Sequence, residues 1–431
     1  MLQSLMDKLY KKYVELSQGK IDVAALKERL DVKNLVSEGY TYHTPTDHSR
    51  ENNKSIMVGI LYNQETNYNM IYSVYNAFEH VGGGNGEYCP VIILQSKGYS
   101  NRYSAMQKQM IEHDMRYEFD FNCTDTKFDI LIVHQINLPP TSEVKQIIDN
   151  SKLRVAVYIG VINYTNSPIP LEWIRQYEVT DICVEQSIYD AMPADILNQY
   201  YFHVTGNPKF DCIYKAYQKD IEIPEHFRKL QSDSIKKIIL WTTDHNPNSL
   251  ICTSEVSFDL YAGTVFEYMR KHKDIGLIFR PYRTYINELI RDRLWTKEDA
   301  DCLMKYCDES ENIVWDDEND YSVSYSMADA IMADVRCGII VSALPMRKPM
   351  AIPLRWDMDT RKHILRNKEV LSSYYLISSE QQMLDFIRMV EAGEDSKYQQ
   401  RMKLIPKYVT NFDGKNGERI RDICINRSKT E

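Results

Sequence analysis

Two histidines stand where apolar stretches of the chain end. His134 closes the run Phe128–His134, and His245 follows the run Lys237–Thr242 by three residues. A histidine titrates close to neutral pH, so at such a position it is a candidate general base facing a substrate hydroxyl. The alternative for His134 is a strand-end side chain satisfied by a backbone group. Both histidines are therefore taken as catalytic candidates.

A second group of residues has the chemistry of an anion site. Arg280 ends the apolar run Gly276–Arg280, and its guanidinium has the fork geometry that matches phosphate oxygens. The turn 334–342 leads from a strand into a helix, whose N-terminus attracts anions. A glycine there lets a ligand approach the backbone closely. The alternative for Arg280 is an ion pair with a neighbouring carboxylate. The predicted donor-phosphate site comprises Arg280, Tyr282, Asp334, Arg336, Gly338 and Ser342.

Other ligand classes lack their sequence signatures. No dinucleotide fingerprint follows the first strand, no phosphate-binding P-loop is present, and the glycine-rich stretch 82–86 is interpreted as a connector. The nine cysteines include no C-x-x-C pair, and no metal-ligand cluster is evident. We therefore expect no metal and no resident cofactor, and a nucleotide-activated donor would be a substrate.

The elements that position these residues alternate along the chain. Apolar stretches of strand length are separated by helical stretches, first over 51–210 and again over 211–385. This order predicts two Rossmann-like lobes with parallel sheets and right-handed crossovers. Ligands bind beyond the carboxyl ends of such strands, so both sets of strand ends are expected to face one central cleft. Residues 1–50 are predicted as helices with a linker, and 386–431 as C-terminal helices packing back on the first lobe.

Several motifs resemble one known family. Gly206-Asn207-Pro208 with Asp211 is similar to a signature between the lobes of GT-B transferases and related sugar epimerases. The stretches 239–245, 279–282 and 328–334 resemble strand ends of the CDP-glycerol glycerophosphotransferases, and 413–419 resembles the C-terminal tail of that family. The resemblance covers about residues 150–425. It implies a GT-B-like α/β fold in which Gly206 and Asn207 lie between the lobes.

The sequence also departs from the family pattern. Tyr282 stands where the family has a histidine, and Arg336 and Cys337 replace two serines, whereas His245, Arg280 and Asp334 are retained. The family residues are implied in catalysis and in holding the donor phosphates. The resemblance therefore implies a transferase that moves a glycerol-phosphate, polyol-phosphate or sugar unit from a nucleotide-activated donor to a cell-surface glycan or polyol-phosphate acceptor, with a lipid-linked acceptor as one option. The alternatives are a degenerate partner subunit and a nucleotide-sugar epimerase.

Composition and charge limit the partners and the cellular location that we expect. The formal net charge of −9 argues against a general nucleic-acid binder. Scattered cysteines, no signal peptide and no apolar run of membrane-spanning length predict a cytoplasmic protein. Lys8, Lys11 and Lys12 flank an apolar helical pattern, which predicts either contact with the inner face of the membrane or packing on the body or a partner chain. Homo-oligomerisation stays open.

Overall fold

The computed structural model describes residues 55–63, 68–81, 87–95, 103–134, 139–158, 171–244, 256–282, 285–291, 294–318, 320–334, 339–355 and 368–430. The predicted N-terminal segment 1–50 and the candidate residues His245, Arg336 and Gly338 lie outside these ranges. The described chain divides into two compact units. One contains the first sheet and the C-terminal residues from Pro406, and the other runs from Ala216 to Ile405.

The first unit is built on a parallel sheet in the order β3-β2-β1-β4-β5-β6-β7. Its central strands are apolar runs rich in valine and isoleucine, which suit strands covered on both faces. The chain leaves β1 towards one side of the sheet and later continues from β4 towards the other, so the order reverses between these two strands. The strands are β1 Ile56–Tyr62, β2 Tyr88–Leu94, β3 Tyr117–Phe119, β4 Phe128–His134, β5 Ser151–Val157, β6 Asp181–Val184 and β7 Tyr201–Val204.

Helices cover this sheet and enclose two apolar cores. One core lies under α1 and the C-terminal helix α16, and the other lies under α3. Thr141 caps α3, because its hydroxyl accepts from the backbone N–H of Val144. The helices are α1 Tyr68–Glu79, α2 Tyr103–Glu112, α3 Ser142–Asp149, α4 Leu171–Gln176, α5 Gln186–Asp190, α6 Ala194–Leu197, α7 Lys209–Gln218 and, at the end of the chain, α16 Asn416–Ser428.

The second unit repeats the pattern with a parallel sheet in the order β10-β9-β8-β11-β12-β13. Here the order reverses between β8 and β11. An aromatic core centred on Trp241 and Phe258 fills one face. The strands are β8 Lys237–Thr242, β9 Ile275–Arg280, β10 Ile313–Trp315, β11 Ala330–Ala333, β12 Met350–Pro353 and β13 Tyr375–Ile377. The helices are α8 Phe258–Lys271, α9 Tyr285–Arg291, α10 Lys297–Glu309, α11 Ser322–Met327, α12 Ile339–Ser342, α13 Lys368–Ser372, α14 Glu380–Glu391 and α15 Tyr398–Tyr408.

Two doubly wound parallel sheets confirm the predicted α/β class with two Rossmann-like units. The sequence after Pro353 predicts helices only, but the structure has the edge strand β13 there. With three residues, of which only Ile377 is buried, β13 is too short to show the periodicity of a strand. The sequence over 287–307 predicts one helix, but the structure has two, α9 and α10, because Thr296 and Asp299 form a capping box that starts α10. Among the described residues, no helix combines the length and apolarity needed to cross a membrane.

Candidate active-site edges of the two sheets

The second sheet brings the predicted residues Arg280 and Asp334 to one edge, together with Thr243, which was not predicted. Strands β8, β9 and β11 are parallel neighbours, so Thr243, Arg280 and Asp334 follow or end them at the same side of the sheet. Ligands of doubly wound sheets bind at this side, in the crevice where the strand order reverses. The candidate donor edge is therefore the carboxyl end of β8, β9 and β11.

Asp334 is fully buried at this edge, and its carboxylate is used inside the protein. One oxygen accepts from the backbone N–H of Asp244 at 2.9 Å. The other accepts from the hydroxyl of Ser257 at 2.6 Å and from its backbone N–H at 3.2 Å. Asp334 thus joins the chain after β8 to the residue that precedes α8. Its contact with donor phosphates stays a prediction.

The burial of Asp334 makes the stability of the protein depend on pH. Burial raises the pKa of this carboxyl from 3.8 to about 7, against three hydrogen bonds that lower it. Because the folded-state pKa is the higher one, the stabilising contribution is complete below about pH 4 and is lost as pH rises through 7. We expect the free energy of unfolding to fall relative to that of Asp334→Asn by up to about 1.4 kcal/mol per pH unit between these limits.

Denaturant titrations of both proteins from pH 4 to pH 8 measure this difference. Asp233→Asn removes an exposed aspartate of the same unit and controls for the loss of a negative charge. Parallel stability profiles for the wild type and Asp334→Asn would contradict the expected titration of this group.

Arg280 at the end of β9 is engaged by protein groups. Its Nη1 lies 2.6 Å from Oδ2 of Asp316, which is only 1% exposed, and its Nη2 donates to the carbonyl of Glu318 at 2.6 Å. Burial acts to lower the pKa of Arg280, but the charge of Asp316 outweighs it, and the net shift is upward. This is the ion pair that the sequence left as the alternative. Phosphate binding by Arg280 stays a prediction and would share the guanidinium with Asp316.

The remaining predicted donor residues of the described chain lie near these groups. The backbone N–H of Tyr282 donates to the hydroxyl of Thr243 at 3.3 Å, which links the ends of β9 and β8. The buried hydroxyl of Ser342, on α12, lies 3.1 Å from that of Tyr325. Sequence reasoning did not single out Arg355, which follows β12 and forms a buried bidentate pair with Asp259 on α8 at 2.6 and 3.0 Å.

His134 occupies the corresponding edge of the first sheet. It ends β4 beside the end of β1, its side chain is 2% exposed, and its ring lies 6.0 Å from that of Tyr62. Neither ring nitrogen makes a well-aligned hydrogen bond among the described residues, but a backbone group of Leu61 acts on the ring as a hydrogen-bond partner, which is the alternative that the sequence left open. Burial lowers the pKa of His134 to about 4, so the imidazole is neutral at physiological pH. A buried neutral imidazole whose hydrogen bonds are incompletely satisfied is a candidate residue of a ligand site.

Gly206 and Asn207, predicted between the lobes, make their described contacts within the first unit. The backbone N–H of Asn207 donates to Glu185 at 2.6 Å, and its carbonyl accepts from Asn416 at 3.1 Å. Asp211 accepts the backbone N–H groups of Asn416 at 3.0 Å and Gly417 at 2.9 Å. Two of the motifs that carried the resemblance, 206–211 and 413–419, therefore bind each other and attach α16 to the first sheet.

Glu185 is a buried carboxylate that the sequence analysis did not select. It follows β6 and also accepts from the backbone N–H of Thr410 at 2.8 Å. Burial raises its pKa to about 7, against hydrogen bonds from Thr410 and Asn207. An acidic residue directly after an apolar strand was the available signal. Among the described residues, no group of three potential metal ligands is assembled.

Comparisons with known proteins bear on the fold. No family model matches the chain, and no curated protein sequence matches it. The wall teichoic acid polymerase TagF shares 12% identity, covers 98% of both chains and superposes with a TM-score of 0.53. A UDP-GlcNAc 2-epimerase from Neisseria meningitidis bound to UDP-GlcNAc is 10% identical over 86% of this chain and all of that chain, with a TM-score of 0.52. A Methanocaldococcus jannaschii UDP-GlcNAc 2-epimerase, in complex with UDP-GlcNAc and UDP, is 15% identical over 86% of this chain and all of that chain, with a TM-score of 0.51.

The chain thus has the GT-B-type fold shared by transferases and nucleotide-sugar epimerases. The resemblance to the glycerophosphotransferases is confirmed at the level of the fold by the similarity to TagF. At these identities the likeness establishes the architecture, and substrate and reaction are matters for proposal.

Proposed function

We propose that the protein is a transferase that moves a glycerol-phosphate, polyol-phosphate or sugar unit from a nucleotide-activated donor to a hydroxyl of a glycan or polyol-phosphate acceptor. The observation that carries the proposal is His134, a buried, neutral imidazole at the point where the strand order of the first sheet reverses, whose ring nitrogens make no well-aligned hydrogen bond among the described residues. A neutral imidazole can accept the proton of an attacking hydroxyl, although the lowered pKa of His134 makes it a weaker base than an exposed histidine.

The proposed reaction forms one bond, breaks one bond and transfers one proton. The acceptor oxygen forms a bond to phosphorus of the transferred polyol phosphate, or to the anomeric carbon of a transferred sugar. The bond from that atom to the nucleotide breaks, and the nucleotide leaves with the electron pair. The acceptor proton passes to a ring nitrogen of His134. In the second unit, Arg336, the backbone after Asp334 and His245 are the candidates for stabilising the charge that develops on the phosphates.

The runner-up is a nucleotide-sugar epimerase, favoured by the solved epimerases of the same fold. An epimerase converts its donor alone, whereas a transferase consumes donor in proportion to an added acceptor. The altered family residues Tyr282, Arg336 and Cys337 favour a third candidate, a partner subunit without activity. That protein would bind no nucleotide.

A thermal-shift screen tests the proposal with CDP, UDP, GDP, ADP, CDP-glycerol and UDP-N-acetylglucosamine. A ligand at about 100 times its Kd stabilises the protein by about 2.7 kcal/mol and raises the melting temperature by several degrees. We expect a cytidine or uridine diphosphate to do so, and we expect His245→Ala and Arg336→Ala to reduce the shift.

The control for this screen is His226→Ala, which removes an exposed histidine of the same unit and should leave the shift unchanged. Arg280 is unsuitable as a first variant, because its removal would leave the buried Asp316 without its charge partner. If no nucleotide shifts the wild-type protein, the transferase proposal fails in favour of a partner subunit.

A further inference from the structure

The backbone pairing between β1 and β4 stops before the two strands end. Its register closes at Ile60 and Ile132, two residues before the last residue of each strand. On their outer sides both strands stay paired to their last residues, Tyr62 in β1 and His134 in β4. A gap in the pairing, which we call the strand split, therefore lies where the strand order of the first sheet reverses.

The second sheet differs at the corresponding point. Its order reverses between β8 and β11, and the register of these two strands runs to Thr242 and Ala333, the last residue of each. The strand split is therefore a local property of the first sheet and does not follow from the reversal of strand order alone. Reversals of this kind are the usual ligand sites of doubly wound sheets.

Side chains connect β1 and β4 where the backbone pairing is missing. The rings of Tyr62 and His134 lie 6.0 Å apart, with their planes tilted by 40°. Burial lowers the pKa of His134, and a backbone group of Leu61 acts in the opposite direction. Because a carbonyl stabilises the protonated ring and an N–H group would not, this group is the carbonyl of Leu61, which accepts from a ring N–H. The other ring nitrogen is then the one that can accept a proton.

Tyr62 is in turn attached to α2. Its hydroxyl donates to Oε1 of Gln109 at 2.6 Å, and both side chains are buried. Met106 and Met110 of the same helix belong to the apolar core that lies on this face of the sheet. A buried hydroxyl or amide that loses its partner is costly, so the bond between the two side chains persists. A chain of contacts thus runs from α2 through Gln109 and Tyr62 to the imidazole.

We infer that Tyr62 and Gln109 are positioning residues for His134. They hold the imidazole across the strand split, with one ring nitrogen donating to β1 and the other presented to the acceptor hydroxyl. This inference rests on the proposed transferase function and adds two residues to its acceptor side. Neither residue transfers a proton, and both act through the orientation of His134.

Single and double variants of the full chain test this role. Tyr62→Phe and Gln109→Met each remove the bond between the two side chains and keep a similar shape. Transfer is followed with CDP-glycerol and UDP-N-acetylglucosamine as donors and with glycerol, glycerol phosphate and N-acetylglucosamine as acceptors. We expect kcat to fall by up to about 100-fold, the loss that a shift of about 1 Å in a catalytic group causes, and KM for the donor to stay unchanged. The double variant should be no slower than either single variant, because the two residues act as one unit.

The same helix supplies a matched control. Nε2 of Gln107 donates to the hydroxyl of Tyr117 at 2.9 Å, so Gln107→Met breaks a bond of the same kind on α2. Tyr117 begins β3, the edge strand that β2 separates from β1. We therefore expect Gln107→Met to leave kcat unchanged.

NMR spectroscopy measures the imidazole directly and requires no activity. In protein with isotope-labelled histidine, the chemical shifts of the ring nitrogens show which of them carries the proton. The spectrum of His134→Gln identifies the signals of His134 among those of the ten histidines. We expect one dominant tautomer in the wild type and in Gln107→Met, and a mixture of tautomers in Tyr62→Phe and in Gln109→Met.

Unchanged His134 signals in Tyr62→Phe and Gln109→Met overturn the inference, whether or not the wild type transfers a group. Changed signals with an unaltered kcat also overturn it, and so does an equal loss of kcat in Gln107→Met, which would be a general effect of α2. If the wild type consumes no donor with any acceptor, the proposed function fails and the catalytic meaning of the inference fails with it. Changed signals and a lower kcat confined to the Tyr62 and Gln109 variants support the inference.

Discussion

Replacing His134 by glutamine is expected to lower the rate of transfer by about 10²- to 10⁴-fold, the usual contribution of a general base. The glutamine side chain has a similar length and keeps a hydrogen-bonding end, but it cannot accept a proton at neutral pH. Because His134 belongs to the first unit and the donor candidates to the second, the nucleotide-induced thermal shift should be unchanged. The transfer rate is measured with saturating donor, and the thermal-shift assay measures nucleotide binding separately.

The pH profile of the same variant adds a second test. Burial holds the pKa of His134 at about 4, so the free protein keeps a neutral base down to mildly acidic pH, and no loss of kcat/KM near pH 6.5 should arise from this residue. His203→Gln is the matched control, because His203 is a partly buried histidine of β7 bound to Asp181 at 2.7 Å. Equal rate losses in the two variants would refute a catalytic role for His134.

Gly206→Ala is expected to destabilise the first unit by about 2–5 kcal/mol. Gly206 has a φ of +81°, and a left-handed conformation costs a residue with a Cβ about 1–2 kcal/mol. An added Cβ would also lie 2.5 Å from Oδ1 of Asn416 and 2.6 Å from the carbonyl of Thr410. Relieving such overlap costs about 1–3 kcal/mol more. Urea denaturation measures the sum, and hydrogen exchange of α16 shows whether the C-terminal helix loosens first.

Two other glycines separate these contributions. Gly393 has a φ of +70° with open space around the position of a Cβ, so Gly393→Ala should show the conformational cost alone. Gly417 lies where a Cβ would be 2.6 Å from the carbonyl of Ser73, and its φ is not positive, so Gly417→Ala should show the packing cost alone. If Gly206→Ala were no worse than Gly393→Ala, the junction between the two motifs would not be tightly packed.

Much of the architecture was predictable because it depends on periodicity. Apolar runs such as Phe128–His134 and Lys237–Thr242 are strands with the expected bounds, since buried parallel strands must be apolar on both faces. The edge strand β13 was missed, because its three residues are too few to separate it from the helical pattern on either side. The candidate residues at strand ends were predictable for the same reason: once the strands are located, the residues that follow them share one edge.

The partners of those residues were not predictable. Sequence alone established two doubly wound α/β units, the histidine at the end of β4, and the arginine and aspartate at the ends of β9 and β11. Only the tertiary structure decided that Asp316 pairs with Arg280, that Asp334 supports Ser257, and that Asp211 meets Asn416 across 205 residues of sequence. A helix or a strand produces a periodic pattern of apolar residues that are close in sequence. Hydrogen bonds between distant segments depend instead on topology and register, which no local pattern shows.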